Sequence, residues 1–285
     1  MGITYHEFKF LEHFSNNNTF GNVLTLGRQE IILNNQDKIR LNIQELDCAK
    51  EGYIDTLLKY KFNAQSVKSI DNSSFEDADL IHDLNKPLNQ NSKKYDTILD
   101  FGTSEHVFNV FQCLKNISDL CKLGGNILHS LPANNNCGHG FWQFSPELFF
   151  SMYSEKNGFS DTEVFIFNTH DKYAWWKVNK QAIGERLEIS SDTPLYILVK
   201  TRKTSETNEL VVQQSDYVER WDQKEIKIKN KKNNLSIFWK LTKDKFKDFL
   251  FNFILPIRIS EKLVGKKLLN KNNLKNNKNL IKINF

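Results

Sequence analysis

An α/β fold, built on a mostly parallel, twisted sheet of about seven strands with helices on both faces, is predicted by three features of the chain. Between Tyr95 and Phe150 an apolar run (Thr97 to Phe101) ends in Gly102-Thr103-Ser104, a turn and cap signal. Helical spacing follows from Glu105 to Cys121, where Val107, Val110, Phe111, Leu114, Ile117, Leu120 and Cys121 fall three or four apart. Gly124-Gly125 stops that helix, and a second apolar run, Asn126 to Leu131, closes at Pro132. Strand, helix and strand in this order form a βαβ unit with parallel strands. The second feature is the number of strand-like runs: 22–27, 65–70, 78–81, 97–101, 126–131, 159–168 and 193–203. The third is the position of polar residues. Gly102 to His106 and Asn134 to Gly140 stand at the carboxyl ends of the two central strands, where open α/β sheets bind ligands. The two clusters are therefore expected to face one cleft.

Composition narrows the classes. The chain has 285 residues, 39% hydrophobic, with 22 Phe, ample for a core. Its four Cys show no CxxC pair and no zinc-like spacing, so buried, reduced thiols are expected. The start, MGITYHEFKF, has neither a basic nor an apolar leader region, and His6 stands where a myristoylation signal has Ser or Thr. No apolar run approaches the roughly 20 residues of a membrane span, and a cytoplasmic location is expected. The net charge of +5 hides a split. From Glu225 onward there are 16 basic and 4 acidic residues, net +12, whereas residues 1–224 hold 23 basic and 30 acidic, net −7.

In chain order, Tyr5 to Phe14 is a candidate short helix that either packs on the body or lies over the cleft. Asn22 to Gly27 is the first strand. Ile31 to Asp47 is polar and poorly periodic and reads as an insertion. Cys48 to Phe62 has helical spacing. Asp71 ends the strand from Gln65 and either binds ribose hydroxyls or caps the turn of Asn72 to Ser74. Ala78 to Ile81 is the third strand. Ser145, Pro146 and Glu147 supply an N-cap, a first-turn proline and a first-turn acid for another helix. The late strands enclose Asn168 to Trp176, whose adjacent Trp175 and Trp176 either stack on a flat ligand or belong to the core.

Tyr95-Asp96 with Ile98, Glu105-His106-Val107 with Asn109, then Leu123-Gly124-Gly125 and Pro132-Ala133-Asn134 resemble the second half of the Rossmann-like domain of class I S-adenosylmethionine (SAM) dependent methyltransferases. The Glu-His-Val run is similar to small-molecule O-methyltransferases. The run Gly138 to Phe149, GHGFWQFSPELF, resembles methyltransferases of polysaccharide-biosynthesis clusters. The likeness covers roughly residues 20 to 203. It implies SAM as cofactor, held by Gly27 and Arg28 after the first strand, Asp71 after the second, Asp83 and Leu84 after the third, and Gly102 after the fourth. Thr25 and Gln29 stand where the family has an acid and a second glycine. In quinone-type relatives a Glu-His pair, with another acid three residues earlier, binds a divalent metal; the earlier position here is Gly102, and no metal site is expected.

For a hydroxyl acceptor the candidate acid–base groups are His139, His106 and Glu105, with Trp142, Gln143, Trp175 and Trp176 lining the acceptor side. Glu105 could equally act only as a charge at a helix N-terminus. No GxxxxGK[ST] phosphate loop is present. The expected organisation is a methyltransferase-like domain over 1–203, a linker over 204–224 and a basic, amphipathic, helical tail over 225–285. That tail fits an anionic membrane surface, packing on the acidic body, or nucleic acid, the last disfavoured by the absence of an Asn/Asp-Pro-Pro-aromatic motif. The expected function is O-methylation of a small molecule or a sugar in surface-glycan synthesis. The alternative is a catalytically degenerate binding protein tethered by its tail.

Overall fold

The structure, a computed structural model, describes residues 2–43, 52–89, 91–180, 186–207, 209–214, 265–266, 270 and 272–285. The chain divides into two compact units. The first comprises Met1–Asn179, Asp192–Val212 and Ile281–Phe285; the second comprises Lys180–Ser191 and Gln213–Leu280. In the second unit Ser190 bridges to Asn273, and the Asn277 side chain donates to the Glu188 carbonyl at 2.7 Å. Residues 48–51 of the helix expected over Cys48 to Phe62, and the basic aromatic segment 237–257, lie outside the described residues.

The first unit holds β1 (Gly2–Ile3), α1 (Tyr5–Ser15), β2 (Asn22–Leu26), β3 (Glu30–Ile31), α2 (Asn35–Arg40), α3 (Ile54–Phe62), β4 (Ser66–Asp71), β5 (Leu80–Ile81), β6 (Tyr95–Phe101), α4 (Val110–Leu120), β7 (Cys121–Pro132), α5 (Pro146–Met152), β8 (Phe159–Asn168), β9 (Ala174–Val178), β10 (Leu195–Lys203) and most of β11 (Leu280–Asn284). One large sheet has the order β11-β9-β8-β10-β7-β6-β2-β4-β5. The run β7-β6-β2-β4-β5 is parallel throughout, and β10 enters antiparallel between β7 and β8. Strand order reverses at β2 and β6, the switch point outside which such sheets bind ligands.

Among the described residues the sheet has nine strands, which corrects the expectation of seven. Both additions lie at one edge. Ala174–Val178, whose tryptophans suited a stacking platform and the core equally, has four of its five residues buried and pairs antiparallel with β8 as β9. Leu280–Asn284 follows as β11, so the end of the tail is a strand of this sheet and not helical.

The βαβ unit forms as its sequence dictates. In β6, Thr97 to Phe101 are buried on both faces, the pattern of a central parallel strand. In α4, Cys113, Leu114, Ile117 and Leu120 form the buried stripe. The helix begins at Val110 and not at Glu105. Asn109 caps it by accepting from Gln112 N–H, while Ser104–His106 form a separate 3-10 turn pinned from below by Asp100. Cys113 and Cys121 are buried free thiols, but Cys137 is exposed on a loop, against the expectation for all four.

Helix α1 is held at both ends of its contact with the sheet. Glu7 Oε2 accepts from the Thr4 N–H at 2.9 Å and from the Thr4 hydroxyl, a capping box, and Glu7 Oε1 accepts from Ser130 Oγ at 2.7 Å on β7. Phe10 packs edge-on against Phe165 and Trp175, and Phe8, Leu11 and Phe14 are fully buried. β1 pairs with β3, tying the N-terminal residues to the insertion after β2. These contacts set α1 and the insertion around the carboxyl ends of β6 and β7. Among the described residues, no helix is long and apolar enough to cross a membrane.

Candidate functional site

A cavity of about 860 Å³ opens there. α1 contributes Tyr5, His6 and Glu7; the chain after β3 contributes Ile32, Leu33 and Asn34; the strand ends contribute Gly102, Glu105, His106, Ser130 and His139. The two polar clusters singled out in the sequence do meet. Phe141 N–H donates to the Glu105 carbonyl at 2.7 Å, His139 Nε2 lies 3.3 Å from Glu105 Oε1, and the His106 and His139 rings stand 5.4 Å apart.

Glu105 is completely buried, and its Oε2 has no hydrogen-bond partner among the described residues. Burial, reinforced by the charge of Asp100, pushes its carboxyl up to about 8. His106 is held below the ordinary imidazole value, by burial first and then by repulsion from His139. The position of Glu105 is set by Asp100, which the sequence reading did not single out. Asp100 Oδ1 accepts from the Ser104 N–H at 3.1 Å, and Oδ2 accepts from Ser104 Oγ at 2.5 Å and contacts His129 Nδ1 at 2.8 Å. His129 Nε2 contacts the Tyr153 hydroxyl at 2.6 Å, completing a buried chain of polar groups beneath the turn. Asp100 and His129 sit at inward-facing strand positions, which in sequence read as core.

His139 reaches Glu105 because Gly140 follows it. Gly140 has φ +73°, and a Cβ there would lie 2.8 Å from the Glu105 carbonyl oxygen. Gly140→Ala is expected to push the loop away from Glu105 and lower stability by about 1–3 kcal/mol. A melting curve checks it; an unchanged Tm would show that the loop does not need this approach.

Glu105, His106 and His139 also form a potential metal site: one ligand atom from each lies within 4.8 Å of the others. The third donor comes from the His139 loop, not from the position of Gly102.

The other expected site residues do not line this cavity. Gly27, at φ +65°, turns the chain after β2 and donates its N–H to the Ile70 carbonyl at 2.8 Å. Arg28 lies over the Tyr53 ring at 4.1 Å and donates to the Glu76 carbonyl. Asp71 Oδ1 accepts from Asn72 N–H at 2.6 Å, the geometry of a turn cap. Asp83 caps a turn through Asn85 and pairs with Lys86, which together hold its carboxyl below the usual range. Leu84 is buried, and its carbonyl accepts from Asn116. These groups ring the carboxyl ends of β2, β4 and β5. Trp142 donates to the Val107 carbonyl at 3.0 Å, and Gln143 accepts from Asn136 N–H at 3.1 Å, so both brace the His139 loop. Trp175 and Trp176 are 2% and 4% exposed on β9, in the packed interior.

No family model matches the sequence, and no curated protein matches it. Solved structures do. The N-methyltransferase NodS from Bradyrhizobium japonicum is 12% identical, with 70% of this chain and 96% of that one covered, at a TM-score of 0.40. YcgJ from Bacillus subtilis is 11% identical over 71% and 100%, at 0.40. A phosphoethanolamine N-methyltransferase from Haemonchus contortus, solved with S-adenosylhomocysteine, is 13% identical over 69% and 52%, at 0.41.

Proposed function

We propose that the protein is a SAM-dependent methyltransferase acting on a hydroxyl of a small molecule or a sugar, with surface-glycan synthesis as its setting. The observation that carries the reading is the meeting of His139 with the buried, proton-holding Glu105 at the carboxyl ends of β6 and β7, within a cavity that α1 and the chain after β3 also line. The sequence resemblance supports the cofactor and the setting.

The residues present fit that cofactor in part. Gln29, in the place of the second glycine, is fully buried with Nε2 bonded to the Leu26 carbonyl at 2.7 Å, and its Oε1 has no partner among the described residues. That oxygen suits the amino group of the methionine portion; Asp71 suits the ribose, Asp83 and Leu84 the adenine, and Gly27 and Gly102 leave room at the strand ends. SAM supplies an activated methyl carbon for in-line transfer. The protein's own part is alignment and proton removal. When Glu105 is ionised it accepts from His139 Nε2–H, which leaves the His139 Nδ1 lone pair to take the acceptor's hydroxyl proton. When Glu105 is protonated it donates to Nε2 instead and fixes the ring in the other tautomer. His106 beside it narrows the approach. Residues 225–285, net +12, give the enzyme a peripheral contact with an anionic membrane.

Calorimetric titration with SAM and S-adenosylhomocysteine tests the reading. Micromolar binding is expected, weakened about tenfold by Asp71→Ala. Unchanged affinity in that variant makes Asp71 a turn cap only. Binding of neither compound overturns the enzyme reading in favour of a binding protein with a closed cofactor loop.

A further inference from the structure

On the α1 side of the cavity a second buried polar atom lacks a partner. His6 lines the cavity and is 4% exposed. Its ring stacks on Phe167 with centroids 4.1 Å apart, and Phe167 stacks in turn on Tyr196 at 5.6 Å, a wall of near-parallel rings. Trp175 Nε1–H, which can only donate, points at His6 Nδ1 from 3.2 Å. Nδ1 is therefore an acceptor, and the neutral ring carries its proton on Nε2. Burial pushes the imidazole down to about 4, so the ring is neutral at physiological pH. Among the described residues no group meets hydrogen-bond geometry at Nε2; the Asp171 backbone approaches the ring only weakly, the smallest of the influences on it, and leaves that N–H unsatisfied.

Three buried side-chain atoms share that condition among the described residues, and two of them, His6 Nε2 and Glu105 Oε2, belong to this cavity. An unsatisfied buried donor is costly, and a ligand oxygen placed against it removes the penalty. The lining of the cavity also sets the charge of that oxygen. Lys172 is the one Lys or Arg among the described lining residues, and it is engaged by Asp37 at 3.0 Å, so this end of the cavity offers a neutral donor and no free cation.

We propose that His6 is a specificity-determining residue whose Nε2–H binds an uncharged carbonyl oxygen of the acceptor, so that the acceptor is a hydroxy compound which also bears a carbonyl group. The hydroxyl lies at the Glu105–His139 end and the carbonyl at the His6 end. A carbonyl fits better than a second hydroxyl because it has no proton of its own to place against the donor. This rests on reading the cavity as the acceptor pocket.

The test uses the full chain labelled with ¹⁵N-histidine and a matched pair of probes, 4-hydroxybenzaldehyde and 4-methylphenol, which share ring and hydroxyl and differ in the carbonyl. In the free protein, His6 is expected to show the Nε2–H tautomer at pH 7. The aldehyde should shift that N–H resonance and bind about tenfold more tightly than the phenol. His6→Phe, which keeps the stacking on Phe167, should reduce the preference to about onefold and leave SAM affinity unchanged. An Nδ1–H tautomer, no preference in the native chain, a preference retained in His6→Phe, or no binding of either probe would each overturn the proposal. Should His6→Phe fail to fold, the tautomer and the paired affinities of the native chain decide alone. SAM titration of the same sample separates the outcomes: SAM binding without a carbonyl preference removes only the role of His6, whereas absent SAM binding removes the methyltransferase reading and leaves the probe result standing.

Discussion

His139→Ala is expected to lower turnover by about 10²–10⁴, the usual contribution of a positioned general base, while SAM affinity stays within about twofold. The separation follows from position. His139 stands on the loop after β7 against Glu105, and the groups that suit the cofactor stand at the ends of β2, β4 and β5. A kcat loss with unchanged cofactor affinity places His139 on the acceptor. Turnover unchanged in His139→Ala would sink the proton-transfer role. Equal losses of kcat and SAM affinity would mean that the loop supports the cofactor site instead.

Glu105→Gln is expected to remove the rise of activity with pH and the part of the pH dependence of stability that this carboxyl contributes. The native carboxyl, fully buried, is pushed up to about 8 from an ordinary value of 4.5. Activity should therefore rise with pH as Glu105 ionises, with an apparent midpoint near that value, and the rise should vanish in the glutamine variant. The stability sign is opposite. The folded state keeps a proton that the unfolded chain releases, so the contribution of this carboxyl to stability is fully present below pH 4.5 and is lost as pH climbs through about 8. A shift of this size amounts to several kcal/mol, on the order of 1.4 kcal/mol per unit. Glu105→Gln should consequently melt at a higher temperature than the native chain at pH 9 and at about the same temperature at pH 5. A native Tm that does not fall between pH 5 and 9 would show that Glu105 is ionised throughout. Its role would then reduce to the electrostatic one.

The sequence reads clearly where burial has a simple period. The strand–helix–strand core from Tyr95 to Pro132 is legible because β6 is buried on both faces and α4 on one. The helix start at Ser145-Pro146 is equally plain, since Ser145 accepts from Leu148 N–H as a cap. The limits of α4 are less so: the capping of Asn109 and the grip of Asp100 on Ser104 compete with helical spacing that runs on from Glu105. The two tryptophans show a different limit. Adjacent Trp175 and Trp176 suit a stacking platform and a core strand equally well, and the pairing of β9 with β8 buries them.

The chain by itself determined the α/β class, the parallel core and the convergence of Glu105, His106 and His139, because residues at the ends of adjacent parallel strands are brought together by the sheet whatever else surrounds them. Only the tertiary structure decided how many strands complete the sheet and what closes the cavity. β11 joins from the far end of the chain, and α1 brings His6 and Glu7 to a site built from residues about a hundred or more positions away in sequence. The physical reason is one of range. Local periodicity reports which side of an element is buried, but the partner that buries it, and the polar atom that burial leaves unsatisfied, are set by contacts between distant segments.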